Sequence, residues 1–549
     1  METNLTEYVI TLRSHEELDE FYDDMETPGG NLYIPDRCVD ISVRRPISRN
    51  TNYLLTEEEA TLVKNDPRVI NVVPKSELDS IIVKPRYTQT STGWSKSSIS
   101  ANTNRNWGLL RCVEGEQRSN WGSNGTTTQT GTITVTSSGK NVDVVIVDGH
   151  LNPDHPEFAV NPDGTGGSRV IQYNWYQHTS EVTGGANGTY VYPTGSSLLN
   201  ANDNHGMHVA GTVAGNTQGW ARDANIYNIS PYSNNPNTLA DQYPFDYVRA
   251  FHRNKPVNPV TGIKNPTICN NSWASYYQIT RTTITNVNWR GDNYTSGFTT
   301  NGNLDTWGLV DYTTTYVYVE AWTDAFVADV IDAIAEGVLF VGAAGNANML
   351  IDSPGGTDYD NTITWSGTTR NYHRGSWNVT GGDSICVGAA SALVNDSKAS
   401  FSQSGPRVNL YSPGDNIISA LHDGTVTGGT ITTVSDSRNA SYVLGKYDGT
   451  SMASPQVCGV LACMLEQYPR MTQLEIKEYL SKNSKNGQLF DSGGGYTDTT
   501  SLKGSENKYL YYKKERPDSG VSQPKFTHNS RKNTGQVYPR RNTLFTQRS

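Results

Sequence analysis

Three polar residues of this sequence occupy positions that are typical of catalytic or ligand-binding side chains. Asp148 follows four consecutive β-branched residues, which predict a buried parallel strand with the carboxylate at the sheet edge where ligands gather. His205 opens a run of small residues and is placed for proton transfer. Ser451 lies four residues before Pro455, and proline is tolerated in a first helical turn, so the serine is predicted at a helix N-terminus that favours negative charge. Taken singly, each has another reading: a turn aspartate, a structural or metal-binding histidine, and a helix-capping serine.

The segments that would position these residues predict a tightly packed α/β core. Small residues at 206, 210, 211, 214 and 215 predict a helix packed too closely for bulky side chains, since glycine costs about 1 kcal/mol against alanine inside a helix. A second helix is predicted from four apolar residues, Phe326, Val330, Ile331 and Ile334. It leads through Gly337 into a buried strand and then Asn346, whose amide can donate to an oxyanion.

Together these motifs resemble the subtilisin-like serine proteases, the subtilase family, over about residues 140 to 485. The resemblance is carried by His-Gly-Met-His-Val-Ala-Gly-Thr-Val-Ala, Ala-Ala-Gly-Asn and Gly-Thr-Ser-Met-Ala-Ser-Pro, in the order Asp, His, Ser that is known for subtilisin. It implies an α/β class, with a subtilisin-like three-layer fold and a mostly parallel central sheet. It also implies a serine endopeptidase that hydrolyses peptide bonds through an acyl-enzyme.

The resemblance assigns a role to each candidate residue. Ser451 would be the nucleophile, His205 the general base, and Asp148 the group that orients the imidazole. Asn346 and the backbone N–H of Ser451 would form the oxyanion hole. The strand that pairs with extended substrate would comprise Ser272, Trp273 and Ala274. The opposite wall of the specificity pocket would comprise Ala343, Ala344 and Gly345.

Two positions depart from the family pattern. Asp148-Gly149-His150 replaces the usual Asp-Ser/Thr-Gly, so the hydroxyl that would bond the aspartate is missing. Backbone groups or His150 would then orient the carboxylate. Met207 replaces the usual threonine between the two histidines. Neither change removes a reacting group, so a competent enzyme is expected.

Charge divides the 549-residue chain into segments. The chain carries a net −10, of which residues 1–86 contribute −7 and residues 501–549 contribute +8. The first segment predicts a small α+β, ferredoxin-like module of order β-α-β-α-β, with a capping box at Thr56–Glu59. The resemblance identifies it as an inhibitor-type propeptide cut between about 78 and 107. Residues 87–107 predict an exposed linker, 108–500 the catalytic domain, and 501–549 a basic tail.

Three stretches make the catalytic domain longer than a compact subtilase. They are residues 275–322, 347–378 and 421–445. Their place beside the cleft favours a specificity rim or a partner face, and plain surface β-hairpins explain them equally well.

The composition and the sequence pattern exclude several classes of protein. The longest uncharged apolar run, Val457 to Leu465, is too short for the roughly 18 residues of a membrane span, so no membrane partner is expected. No secretory signal is visible, which predicts a cytoplasmic or virus-associated protein. Six scattered cysteines without a Cys-x-x-Cys pair predict buried, reduced thiols. No cofactor and no metal ligand are predicted from the residues. Structural calcium is implied by the family resemblance alone, and the sequence contains no EF-hand loop.

The expected partners are polypeptide substrates and the chain's own propeptide, acting as an intramolecular inhibitor. The alternative is a subtilase-fold structural or interaction protein with weak or absent activity. Nucleic acid is disfavoured as a partner because residues 87–500 carry a net −11.

Overall fold

The computed structural model describes most of the chain. The described ranges are residues 5–34, 41–43, 48–75, 86–97, 105–118, 128–231, 243–300, 303–309, 314–393 and 395–512. They belong to two compact units, one within Met1–Val83 and one within Lys84–Lys514.

The first unit is a four-stranded antiparallel sheet with helices. In sheet order the strands are Ile41–Val43, Asn50–Leu55, Thr6–Leu12 and Val69–Pro74. The helices are His15–Glu17, Leu18–Glu26 and Glu57–Lys64. The predicted capping box is present, since Thr56 and Glu59 each bond the other's backbone N–H. The predicted order β-α-β-α-β lacks one strand, Asn50–Leu55, which pairs with Thr6–Leu12. This strand begins with three polar residues, so its sequence does not have the apolar alternation typical of a strand.

The second unit is built on a nine-stranded sheet. In sheet order the strands are Lys485–Asn486, Lys508–Tyr509, Leu410–Pro413, Ile385–Ala390, Val338–Ala343, Thr267–Asn271, Asp143–Val147, Asn225–Ile229 and Val170–Ile171. All neighbouring pairs are parallel except the first, which is antiparallel. The predicted mostly parallel sheet is therefore confirmed.

Helices cover both faces of this sheet. Those of at least eight residues are Trp107–Glu114, Ala201–Ala214, Pro244–Asn254, Asp324–Ala335, Thr450–Gln467 and Gln473–Asn483. Shorter helical segments are Pro156–Phe158, Trp175–His178, Thr179–Val182, Gly195–Leu198, Arg281–Thr283, Leu304–Trp307 and Trp377–Thr380. Alternate residues of the central strand Asp143–Val147 face different cores. Val144 and Ile146 belong to the core that includes residues of helices Ala201–Ala214 and Thr450–Gln467. Val145 and Val147 belong to the core that includes residues of helices Pro244–Asn254 and Asp324–Ala335. Two helical layers around one sheet make the three-layer fold that was predicted.

Two predicted boundaries need correction. Residues 87–94 are not linker: strand Tyr87–Trp94 pairs with Gln129–Val135 and buries Trp94 completely. The strand is rich in polar residues because alternate residues are exposed, and this composition is typical of a loop. The tail also begins later than residue 501, since strand Lys508–Tyr509 joins the central sheet and Tyr509 is fully buried. The rest of the predicted tail, 513–549, lies outside the described residues.

The three long stretches form β-structure on the second unit. Four strands from the first two stretches make one sheet, in the order Asp292–Tyr294, Ile284–Trp289, Thr362–Trp365 and Thr368–Asn371. Strand Tyr276–Thr280 pairs with Tyr316–Glu320. The third stretch supplies Thr425–Val426, Gly429–Thr430, Thr433–Asp436 and Asn439–Tyr447, the last of which pairs with Ile417–Leu421. The hairpins of the first two stretches share a separate apolar core around Val287, Trp307 and Val317.

The described cysteines are buried and form no disulfide, as predicted. Cys112, Cys269, Cys386, Cys458 and Cys463 are buried and free. Cys38 lies outside the described residues. No helix among the described residues is long and apolar enough to cross a membrane.

Candidate active site

The carboxylate of Asp148 and the imidazole of His205 are hydrogen-bonded in the second unit. Asp148 directly follows the buried strand Asp143–Val147, and His205 lies in the second turn of helix Ala201–Ala214. His205 Nδ1 is 2.8 Å from Asp148 Oδ1. A carboxylate can only accept, so Nδ1 must carry the proton and Nε2 is left able to take one.

Burial and charge act on His205 in opposite directions. Burial acts to lower the pKa of His205, but the Asp148 carboxylate outweighs it and raises that pKa above the usual 6.5. Asp148 is fully buried while the His205 side chain keeps 27% of its surface exposed. An imidazole that is held by a buried carboxylate and is partly exposed has the form of a general base.

Small residues let the His205 helix lie against the Asp148 loop. A β-carbon on Gly206 would come within 2.3 Å of the carbonyl oxygen of Gly149. One on Gly211 would come within 2.3 Å of Ser419 Oγ. The loop itself is held by Asn228, whose amide donates to the carbonyl oxygens of Ile146 and Gly149. The close packing predicted from the small-residue pattern is therefore present.

His150 does not orient Asp148. Its Nε2 is 3.2 Å from the hydroxyl of Tyr190, and its Nδ1 is 3.4 Å from the carboxylate of Asp203. The backbone N–H of Gly149 donates to Asp148 Oδ1 at 2.8 Å. Of the two groups predicted to replace the missing hydroxyl, the backbone N–H of Gly149 bonds the Asp148 carboxylate and His150 does not.

Ser451 is the second residue of helix Thr450–Gln467, whose N-cap is Gly449. Ser451 as a whole residue is 8% exposed. Its hydroxyl donates to the backbone carbonyl oxygen of Ser272 at 2.9 Å. The free N–H groups and the dipole of this helix end favour a negative charge beside it.

Pro455 lies in the second helical turn, deeper than the sequence suggested. It cannot donate to the carbonyl oxygen of Ser451, four residues earlier. The hydroxyl of Ser272 donates to that oxygen instead, at 2.9 Å. Ser272 thus supports the helix end that carries the nucleophile candidate.

Asn346 is oriented by the residue just before Ser451. Asn346 Oδ1 accepts from both the backbone N–H and the hydroxyl of Thr450, each at 2.9 Å. The hydroxyl of Thr450 accepts in turn from the backbone N–H of Gly345 at 3.0 Å. With its oxygen held in this way, the amide of Asn346 presents its NH₂ as the donor. Sequence reasoning missed Thr450, although its hydroxyl beside the serine in Gly-Thr-Ser was a visible signal.

The two predicted substrate walls lie at the ends of neighbouring strands. Thr267–Asn271 and Val338–Ala343 are paired in parallel, so Ser272 and Ala344 leave the sheet at the same edge. Trp273 packs edge-on against Trp377 with ring centroids 5.8 Å apart, and its carbonyl oxygen accepts from Asn378. Ala274 is half-buried, whereas Ala343 and Ala344 are buried. Gly345 has φ of +114°, in the region that favours glycine.

Among the described residues, no group of three or more His, Cys, Asp or Glu side chains could hold a metal ion.

The chain belongs to the subtilase family, whose model matches residues 139–505. Subtilisin-like protease 3 of Arthroderma otae is 45% identical over 83 residues, which cover 15% of this chain and 16% of the relative. The extracellular protease of Xanthomonas campestris pv. campestris is 36% identical over 98 residues, which cover 18% of this chain and 15% of the relative. The matched segments thus span about a sixth of these relatives.

Solved structures include a cold-adapted subtilisin-like serine proteinase that is similar to this chain. The match has 20% identity and a TM-score of 0.43, and it covers 75% of this chain and all of the other.

Proposed function

We propose that this chain is a serine endopeptidase with Ser451 as nucleophile, His205 as general base and Asp148 as the group that orients it. The observation that carries the proposal is the hydrogen bond between Asp148 and His205, in the same unit as a serine at a helix N-terminus. Membership of the subtilase family supports the same reaction class.

The proposed reaction has two halves. Ser451 Oγ bonds to the carbonyl carbon of the substrate while its proton passes to His205 Nε2. The carbonyl oxygen becomes an oxyanion that accepts from the Asn346 NH₂ and the Ser451 backbone N–H. When this intermediate collapses, the C–N bond breaks and His205 returns the proton to the leaving amine. Water then attacks the acyl-enzyme by the same route and releases the acid.

We further propose that the N-terminal unit is a propeptide that the enzyme removes and that inhibits it until then. Strand Tyr87–Trp94 belongs to the second unit through its pairing with Gln129–Val135, so a cut that preserves this ribbon falls before Tyr87. The predicted window of 78–107 therefore narrows to 78–86, most of which lies outside the described residues.

One experiment tests both statements. Wild type and Ser451→Ala are purified in parallel, treated with a fluorophosphonate probe and analysed by intact mass. We expect labelled, N-terminally shortened wild type and unlabelled, full-length Ser451→Ala. Unlabelled wild type would contradict the peptidase, whereas labelled, full-length wild type would contradict autoprocessing alone.

A further inference from the structure

A buried carboxyl group that the proposed reaction does not use lies against Gly345. Glu320 ends strand Tyr316–Glu320 and is only 7% exposed. A β-carbon built on Gly345 would come within 2.7 Å of Glu320 Oε1 and 2.5 Å of Gln403 Oε1. The carboxyl therefore occupies the side of Gly345 where a side chain would otherwise lie, one residue away from Asn346.

Backbone hydrogen bonds place Glu320 next to both predicted substrate walls. On one side Glu320 is paired with Tyr276, and the N–H of Ala321 donates to the carbonyl oxygen of Ser275 at 2.8 Å. Ser275 directly follows the wall Ser272–Ala274. On the other side the N–H of Gln403 donates to the carbonyl oxygen of Gly345 at 3.0 Å. Glu320 and Gln403 thus adjoin the chain segments of both predicted walls.

The carboxyl has no cationic partner within the described part of the chain. Glu320 Oε1 is buried without a hydrogen bond there, as are both polar atoms of the Gln403 amide. Burial raises the pKa of the Glu320 carboxyl to about 8, and the adjacent Gln403 amide offsets this only in part. A buried acid without a cationic partner is costly to keep, and groups of this kind occur at binding sites.

The position of Glu320 points to one substrate residue. If Asn346 holds the carbonyl oxygen under attack, the residue that owns this carbonyl (P1) places its side chain between the walls and toward Glu320. We propose that Glu320 binds the cationic side chain of P1, so that this protease cleaves after arginine or lysine. This inference rests on the proposed function. Lys84 and Arg86, both within the narrowed window of 78–86, offer such residues for self-processing.

The test compares peptides that differ only at P1. Full-length chain that has been allowed to process is assayed with fluorogenic substrates carrying Arg, Lys, Leu or Phe at that position. We expect kcat/KM for Arg and Lys to exceed that for Leu by about 100-fold, the range of a hydrogen-bonded charge pair. Glu320→Gln should remove most of this advantage and leave the Leu substrate within about threefold of wild type. Glu478→Gln, at an exposed glutamate, is the matched control and should change neither.

Two outcomes would overturn the inference: a wild type that prefers Leu or Phe, or a Glu320→Gln enzyme that loses activity on all four substrates alike. The second outcome counts only for a Glu320→Gln chain that still reacts with the fluorophosphonate and is therefore folded. The wild type is also tested with 4-aminobenzamidine, a small aryl cation. We expect millimolar 4-aminobenzamidine to compete with the Arg substrate, and the absence of competition would count against the inference. A fluorophosphonate carries no P1 side chain. Labelled wild type with apolar preference therefore refutes Glu320 alone, whereas unlabelled wild type refutes the peptidase and the inference with it.

Discussion

The hydroxyl of Ser272 donates to the carbonyl oxygen of Ser451 and so replaces the helical hydrogen bond that Pro455 cannot make. This relationship joins a predicted substrate wall to the predicted nucleophile. It also explains how a proline can stand in the second turn of helix Thr450–Gln467 without leaving a buried carbonyl unsatisfied.

Ser272→Ala should destabilise the folded chain by about 1–3 kcal/mol, because the Ser451 carbonyl loses its donor. Urea unfolding is measured in a Ser451→Ala background, which keeps this carbonyl and avoids self-digestion. Pro455→Ala supplies a helical N–H, so the same Ser272 substitution should cost less in that background. Equal costs in the two backgrounds would show that the hydroxyl does not replace the missing bond.

The rate of reaction at Ser451 should depend on pH through His205. The base must be neutral, and its pKa is raised above 6.5, so the rate of fluorophosphonate labelling should fall as pH drops through a midpoint above 6.5. Asp148→Asn removes the carboxylate that raises this pKa, so the midpoint should move down. We also expect kcat to fall about 10⁴-fold, the scale found for the corresponding aspartate of subtilisin. A wild-type midpoint below 6.5 would contradict the assigned pair.

Thr450 should act by positioning Asn346. Thr450→Val removes the hydroxyl that joins Asn346 Oδ1 to the Gly345 N–H, so we expect kcat to fall about tenfold with KM little changed. Thr450→Ser retains the hydroxyl and should stay near wild type. Asn346→Ala should cost about 10²–10³-fold in kcat. If Thr450→Val and Thr450→Ser behave alike, the hydroxyl has no part in orienting the amide.

Gly206 should tolerate no side chain. A β-carbon there would lie 2.3 Å from a backbone oxygen of the Asp148 loop, which cannot rotate away. We expect Gly206→Ala to lower the free energy of unfolding by at least about 1–3 kcal/mol and to reduce labelling of Ser451, because the helix must move away from Asp148. Gly429→Ala is the control: its β-carbon would meet nothing within 4 Å, and both measurements should stay unchanged.

Local sequence predicted two strands of the central sheet and the helices of the site. Asp148 after a β-branched run, small residues around His205 and the helix before Gly337 all lie in the elements expected of them. The failures share a cause: Asn50–Leu55 and Tyr87–Trp94 are polar-rich strands whose stability comes from partners distant in sequence. Because the stability of such a strand depends on a partner distant in sequence, the strand's own composition gives little indication of it.

By itself, the sequence determined the family, and it supplied the proposed reacting residues and their order along the chain, because short motifs carry the steric and chemical demands of the site. Only the tertiary structure decided which groups meet. It placed the Gly149 N–H rather than His150 on Asp148, Ser272 on the carbonyl of Ser451, and Glu320 beside Gly345. The contact of Ser272 joins residues 179 positions apart, and such a separation closes only when the sheet and its two helical layers pack together.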